Sequence, residues 1–121
     1  DSVVVHGDFS RASGFNAAMD LADSGTTAII AGNDLMALGV IAALRQRGIR
    51  VPEDVSVAGF DDLPAAVDVV PALTTVRLPL DQGARRAGRI ASGVETVTGP
   101  TRLWMPAELM VRESVAAPAV R

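Results

Sequence analysis

The sequence contains no cysteine, and this absence removes several chemistries at once. A disulfide framework, a thiol nucleophile and a cysteine metal site are all excluded, which fits a reducing, cytoplasmic setting. A single histidine is present, so a metal site would have to be built from carboxylates alone, and their spacing is poor for it. The nucleotide-binding patterns GxGxxG and GxxxxGK[ST] are also missing. We therefore expect neither a metal nor a cofactor.

Long apolar runs and an excess of basic residues are absent too. No apolar stretch approaches the roughly 20 residues that span a bilayer, so we expect no membrane partner. The formal net charge of −3 gives no general attraction to nucleic acid. The chain has 121 residues, of which 49% are hydrophobic, which suits one domain with its own core. It begins without Met and without signal-peptide features, and we expect it to be part of a longer protein.

Apolar patterning predicts an alternation of strands and helices. Short apolar runs predict strands at 3–5, 28–31, 55–60, 73–78 and 109–112, and helical spacing predicts helices over 15–22, 35–47 and 80–92. Residues 28–60 read as strand, helix and strand, which is a βαβ unit with parallel neighbouring strands. The predicted fold class is α/β, a parallel sheet flanked by helices.

Polar residues follow three of the predicted strands, and Phe9, Asn33 and Asp61 lie among them. The carboxyl ends of parallel strands share one edge of the sheet, where open α/β folds bind their ligands. We therefore expect these three residues to face one crevice. An aromatic ring, an amide and a carboxylate suit a polyol or a sugar, because the ring covers an apolar face and the polar groups pair with hydroxyls.

Each of these residues also has a purely structural alternative. Asn33 could equally be the N-cap of its helix, and Asp34 fits a capping role better than a ligand contact. Phe9 could belong to the core. Asp62 suits a turn or a cap. Adjacent residues of an extended chain point to opposite faces, so Asp61 and Asp62 make a poor proton-transfer pair, and an enzyme is disfavoured.

Several segments resemble one protein family in the family's own order. The segments are GDFSRASGFNAAM, AGNDLMALGVIAALRQRGIRVPEDVSVAGFDDLP, PALTTVRLPLDQGARRAG and LWMPAELMVRES. Together they are similar to the C-terminal part of lactose/galactose repressor (LacI/GalR) family transcription regulators. The resemblance implies a periplasmic-binding-protein-like effector domain, of which this chain supplies one incomplete lobe.

The resemblance also implies roles for individual residues. Asn33 and Asp61 match the family's effector contacts, and Phe9 matches the aromatic that packs on the ligand. The residue after the TTV segment lies near the crossing between the lobes in this family, which would put Arg77 and Leu78 close to the cleft. Arg11 and Phe60 are further candidates for the wall of the site.

By the same resemblance, the helix-turn-helix headpiece and the first lobe lie outside these 121 residues. Operator DNA would therefore be reached only through a headpiece that this chain does not contain. The helix over 80–92 would pack on the other lobe, and without that lobe its apolar stripe would pair with another copy of the chain or swap between copies. The stripe consists of Leu80, Ala84, Ala87 and Ile90.

A homodimer is implied as well, because a palindromic operator is read by two headpieces at fixed spacing. The candidate interface residues are Leu38, Ile41, Val69 and Val70, although packing inside the domain explains Leu38 and Ile41 equally well.

The expected function is the effector-binding and dimerisation portion of a cytoplasmic LacI/GalR-type transcription regulator, with a sugar as the usual effector. One alternative is the solute-binding protein of a sugar transporter, which shares the fold. An upstream helix-turn-helix would favour the regulator, and a signal peptide would favour the carrier. A weaker alternative is an enzyme that uses Asp61 as its base.

Overall fold

Short strands alternate with helices throughout the part of the chain that the structure, a computed structural model, describes: residues 3–99, 102 and 104–118. The strands are β1 (Ala28–Ile30), β2 (Ser56–Ala58), β3 (Thr75–Arg77) and β4 (Glu108–Met110). The helices are α1 (Arg11–Leu21), α2 (Asp34–Gln46), α3 (Ala65–Asp68) and α4 (Leu80–Ala91). None of the described helices combines the length and the apolar character that crossing a bilayer requires.

The strands form a mixed arrangement that is parallel on its β1 side. β1 pairs in parallel with β2, with Ile29 opposite Val57. Single parallel bridges, Ala58 with Thr74 and Asp61 with Arg77, connect the end of β2 to β3. β4 runs antiparallel to β3. The predicted βαβ unit is therefore confirmed, and the chain adds an antiparallel strand at the far side.

Helices α1 and α2 pack closely because glycine occupies both contact points. A Cβ on Gly14 would collide with the backbone of Met36, and one on Gly39 would collide with the backbone of Arg11. The core around this contact consists of small and branched apolar residues. Its members include Ala18, Ala37, Val40, Ile41, Ala43, Leu44, Val55, Val57, Ala66 and Leu73.

Two features of the chain's beginning differ from the prediction. Residues Val3 to Val5 form no strand, so that prediction is wrong: together with β1 they line an open cavity of about 580 Å³ instead of making ladder hydrogen bonds. Helix α1 starts at Arg11, four residues before the predicted start at Phe15, because Ser10 caps it and accepts a hydrogen bond from the backbone of Ser13. The short helix α3 was not predicted.

The residues considered for a dimer interface fall into two groups. Ile41 is 2% exposed in the core, so it is wrong as an interface residue and the internal-packing alternative holds. Val69 packs against the same core. Val70 is 73% exposed, and Leu38 is half-buried.

Helix α4 contributes nothing to the core. None of its described residues is buried, and Leu80 at its start is 60% exposed. The helix contacts the following segment at Gly83, where a Cβ would lie 2.7 Å from the terminal methyl of Met105. Of the apolar stripe predicted for this helix, Leu80, Ala84 and Ala87 are exposed and Ile90 is half-buried among the residues that the structure describes.

Candidate functional site

The junction between β1 and α2 forms the centre of the candidate site. Asn33 adopts extended backbone and caps α2, because its Oδ1 accepts a hydrogen bond of 2.9 Å from the backbone N–H of Met36. Its Nδ2 donates to the backbone oxygen of Phe9 at 3.1 Å. The capping alternative is therefore confirmed, and the amide also holds the Phe9 loop. An amide has four hydrogen-bonding positions, so two remain for a ligand.

Phe9 lies beside this junction and not in the core. The residue is 64% exposed, which makes the core alternative wrong. A Cβ on Gly32 would lie only 3.4 Å from a ring carbon, so the aromatic edge rests against the end of β1. Phe9 itself has a positive φ of 64°, a conformation that is uncommon for a residue other than glycine.

Hydrogen bonds within the loop before α1 hold Phe9 in this position. The backbone N–H of Ser10 donates to Oδ1 of Asp8 at 3.0 Å. Hydrogen bonds from Ser10, and secondarily from Ser13, lower the pKa of Asp8 to about 2. Arg11 follows as the first residue of α1, with an exposed side chain, and its role as a wall residue stays a prediction.

The end of β2 meets the start of α2. The backbone N–H of Asp34 donates to the oxygen of Phe60 at 2.8 Å, which puts Phe60 next to Asn33. Asp61 follows with φ of 112°, and its N–H donates to the oxygen of Val76 at 2.9 Å. A non-glycine residue in such a conformation costs about 1–3 kcal/mol, which surrounding structure must offset. Among the described residues, no donor pairs with the Asp61 carboxylate.

Asp62, the second acid of the pair, has a different environment. Its side chain is 6% exposed and lies between Nε of Arg77 at 2.6 Å and Nη2 of Arg112 at 2.5 Å. Burial alone would raise the pKa of Asp62, but the hydrogen bonds and charges of the two arginines outweigh it and the pKa lies below its usual value. The prediction of a turn or capping role is therefore wrong: Asp62 is a buried acid that pairs with two arginines.

Asp34 is a second functional acid that sequence reasoning assigned wrongly. It was expected to cap α2, but Asn33 does so, and Asp34 instead is fully buried. Its Oδ2 accepts from the backbone N–H of Leu63 at 2.7 Å, and its Oδ1 accepts from the Thr75 hydroxyl at 2.6 Å. The carboxylate thus fastens the loop after β2 to both α2 and β3.

Two predicted site residues lie at the margin of this arrangement. Phe60 is 37% exposed beside the start of α2. Leu78 directly follows Arg77, the bridge partner of Asp61, and is half-buried. Phe9, Asn33, Phe60 and Asp61 therefore lie along one edge of the sheet, which we call the rim. Their contact with a ligand stays a prediction.

A chain of this architecture, with a polar edge at the ends of parallel strands, belongs to a recognised class of ligand-binding domains. Residues 2–115 match the family described as periplasmic binding protein-like domain. The chain belongs to this family, and its relatives are LacI-type regulators. The predicted resemblance and fold class are thereby confirmed.

Sequence relatives and solved structures agree on this point. The HTH-type transcriptional regulator CelR of Thermobifida fusca is 39% identical over 120 residues, covering 94% of this chain and 35% of CelR. The HTH-type transcriptional regulator AscG of Escherichia coli is 34% identical over 122 residues, covering 98% of this chain and 36% of AscG. The chain therefore spans about a third of the length of the curated relatives it matches.

Three solved structures are similar in fold as well as sequence. The crystal structure of the Escherichia coli repressor AscG has a TM-score of 0.80 at 34% identity, covering 93% of this chain and 42% of that one. A dimeric Lac repressor with a C-terminal deletion has a TM-score of 0.80 at 35% identity, with coverage of 93% and 43%. A complex of CelR with cellobiose has a TM-score of 0.76 at 39% identity, with coverage of 89% and 34%.

Proposed function

We propose that this chain is the effector-binding and dimerisation portion of a LacI/GalR-type transcription regulator, with a sugar as effector. The observation that carries the proposal is the contrast between two adjacent acids. Asp62 is buried and bound by two arginines, whereas the carboxylate of Asp61 has no partner among the described residues. An unpaired carboxylate held at the ends of parallel strands is suited to accept hydroxyl donors from a ligand.

Two other members of the rim, Phe9 and Asn33, complement this carboxylate. Phe9 offers an exposed ring for the apolar face of a sugar. Asn33 retains donor and acceptor capacity after its two internal hydrogen bonds. Arg11, Phe60 and Leu78 would complete the wall of the site.

A sugar is the effector class best supported by the relatives. CelR, 39% identical to this chain, has been solved in complex with cellobiose. An oligosaccharide presents several vicinal hydroxyl groups, and a single carboxylate can accept from two of them.

Effector binding and DNA binding would be thermodynamically coupled. Effector binding at the rim would change operator affinity through a headpiece outside this chain, with a coupling free energy of about 1–3 kcal/mol. The protein would act in the cytoplasm as a homodimer, and exposed Val70, with half-buried Leu38, would contribute to its interface. Helix α4, none of whose described residues is buried, would pack on the other lobe.

The solute-binding alternative is less well supported, because the relatives reported above are HTH-type regulators. The same relatives argue against an enzyme that uses Asp61 as its base.

Isothermal titration of the full-length protein with cellobiose and a panel of other disaccharides tests the proposal. Replacing Asp61 by Asn should weaken binding by roughly 10–100-fold, because a hydrogen bond to a charged group contributes about 1.5–3 kcal/mol. Asp23→Asn is the matched control, since the Asp23 side chain is 80% exposed and its one ion pair among the described residues is with Arg47. Sugar binding that is equally strong in the wild type and Asp61→Asn would contradict the proposed role.

A further inference from the structure

We infer that Arg112 is a positioning residue for the effector site: from the segment after β4 it grips Asp62 and thereby fixes the orientation of Asp61. The ligand part of this inference rests on the proposed function, whereas the conformational part stands on geometry alone. Fifty residues separate Arg112 from Asp62 in sequence, so the contact joins the last part of the described chain to the centre of the rim.

The Arg112 guanidinium is itself held rigidly. Nη2 donates to Oδ1 of Asp62 at 2.5 Å, and Nη1 donates to the backbone oxygen of Leu73 at 2.8 Å. The backbone N–H of Arg112 donates to the hydroxyl of Thr74 at 2.9 Å. Only 14% of its side chain is exposed. A planar guanidinium fixed on two sides is a firm anchor, because its donors point in set directions.

The second arginine of the network is less constrained. Nε of Arg77 donates to Oδ2 of Asp62 at 2.6 Å, but its side chain is 49% exposed. Its other ionic neighbour, Glu108, is 3.9 Å away and also exposed. Because solvent weakens exposed ion pairs, the pair of Asp62 with Arg112 is stronger than its pair with Arg77.

This hold determines where the Asp61 side chain points. Asp61 and Asp62 are consecutive residues with positive φ, 112° and 56°. The other tethers of the loop hold backbone N–H groups and not the Asp62 side chain. Asp61 N–H donates to the oxygen of Val76, and Asp62 N–H donates to the Thr75 hydroxyl over a long 3.4 Å. Leu63 N–H donates to Oδ2 of Asp34 at 2.7 Å. Two L-residues would relax towards negative φ if the Asp62 carboxylate were released, and that rotation would swing the Asp61 carboxylate away from the rim.

Amide hydrogen exchange in the absence of ligand tests the conformational part. In Arg112→Met, the exchange rate of the Asp61 amide should rise at least tenfold, while the rate of Leu44 in the core of α2 stays unchanged. Arg112→Lys should give an intermediate rise, and Arg77→Met a smaller one than Arg112→Met. Arg85→Met is the control, because Arg85 forms an equivalent pair with Asp81 at 2.9 Å on the exposed face of α4. Unchanged exchange at Asp61 in Arg112→Met overturns the inference.

If Leu44 also loses protection in Arg112→Met, the variant has unfolded globally. Asp62→Asn is then measured instead, and the Asp61 amide should again exchange at least tenfold faster while Leu44 stays unchanged. Titration with cellobiose gives the second arm: affinity should fall at least tenfold in Arg112→Met and recover in part in Arg112→Lys. Equal affinity in both variants and the wild type also overturns the inference. A wild-type protein that binds no sugar would refute the proposed function instead, and the exchange rates would still decide the role of Arg112.

Discussion

Replacing the buried carboxylate of Asp34 should be among the most destabilising single changes in the chain. Asp34→Ala leaves two donors without an acceptor, the part-buried N–H of Leu63 and the buried hydroxyl of Thr75. An unsatisfied buried donor costs about 1–3 kcal/mol. Loss of a negative charge from the first turn of α2 adds about 0.3–1 kcal/mol. We expect a total loss of about 2–7 kcal/mol, a large share of the 5–15 kcal/mol by which domains are typically stable.

Chemical denaturation followed by circular dichroism measures this loss against a matched control. Asp81 also lies in the first turn of a helix, but it pairs with Arg85 on the surface, where both side chains are 76% exposed. Asp81→Ala should therefore cost less than about 1 kcal/mol. Thr75→Val removes only one of the two Asp34 contacts and should fall between them. Equal losses in Asp34→Ala and Asp81→Ala would refute the reasoning that burial makes these contacts strong.

Helix packing, the Asp62 ion pairs and the Asp8 hydrogen bonds give three further predictions. Gly39→Ala should destabilise the fold by several kcal/mol in thermal denaturation, because its Cβ would collide with the α1 backbone. Gly88→Ala, with open space around it, should stabilise α4 by up to about 1 kcal/mol. Equal effects of the two substitutions would contradict the close packing of α1 on α2. The folded pKa of Asp62 lies below its unfolded value of 3.8, so the stability it contributes is present above that value and is lost as pH falls through the folded pKa. Asp62→Asn should therefore lose stability less steeply with acid, and an unchanged pH profile would argue against the ion pairs. Carboxyl NMR titration should give Asp8 a midpoint of about 2, and Ser10→Ala, which removes the hydroxyl and keeps the backbone N–H, should move it part of the way towards 3.8; no movement would show that the Ser10 hydroxyl does not lower this pKa.

Local patterns predicted the middle of the chain well because the signals there are local. The apolar run of β1, the capping amide of Asn33 and the positive φ of Gly48 after α2 all act within a few residues. The strand expected at Val3 to Val5 failed for the opposite reason, since a strand needs a partner and β1 does not supply one. The early start of α1 was missed because Gly14 reads as a loop former, although its role is to let α2 approach.

The candidate site divides in the same way. The position of Phe9, Asn33 and Asp61 on one edge follows from strand order, which the βαβ pattern implies. The different environments of Asp61 and Asp62 could not be predicted from strand order, because the two acids are adjacent and identical in sequence and only distant partners distinguish them. Arg112 lies 50 residues from Asp62, so the sequence around the acid pair gives no signal that predicts this ion pair. Basic residues in the strands that neighbour a site loop are the signal that could have indicated it.

The most direct measurement is a crystal structure of the full-length protein with the disaccharide that binds it best. We expect sugar hydroxyls within about 3.2 Å of the Asp61 carboxylate and the Asn33 amide. The ring of Phe9 should lie against an apolar sugar face, with Asp62 still bound to Arg112. A sugar bound away from these side chains, or an Asp61 carboxylate paired with a protein cation, would contradict the account.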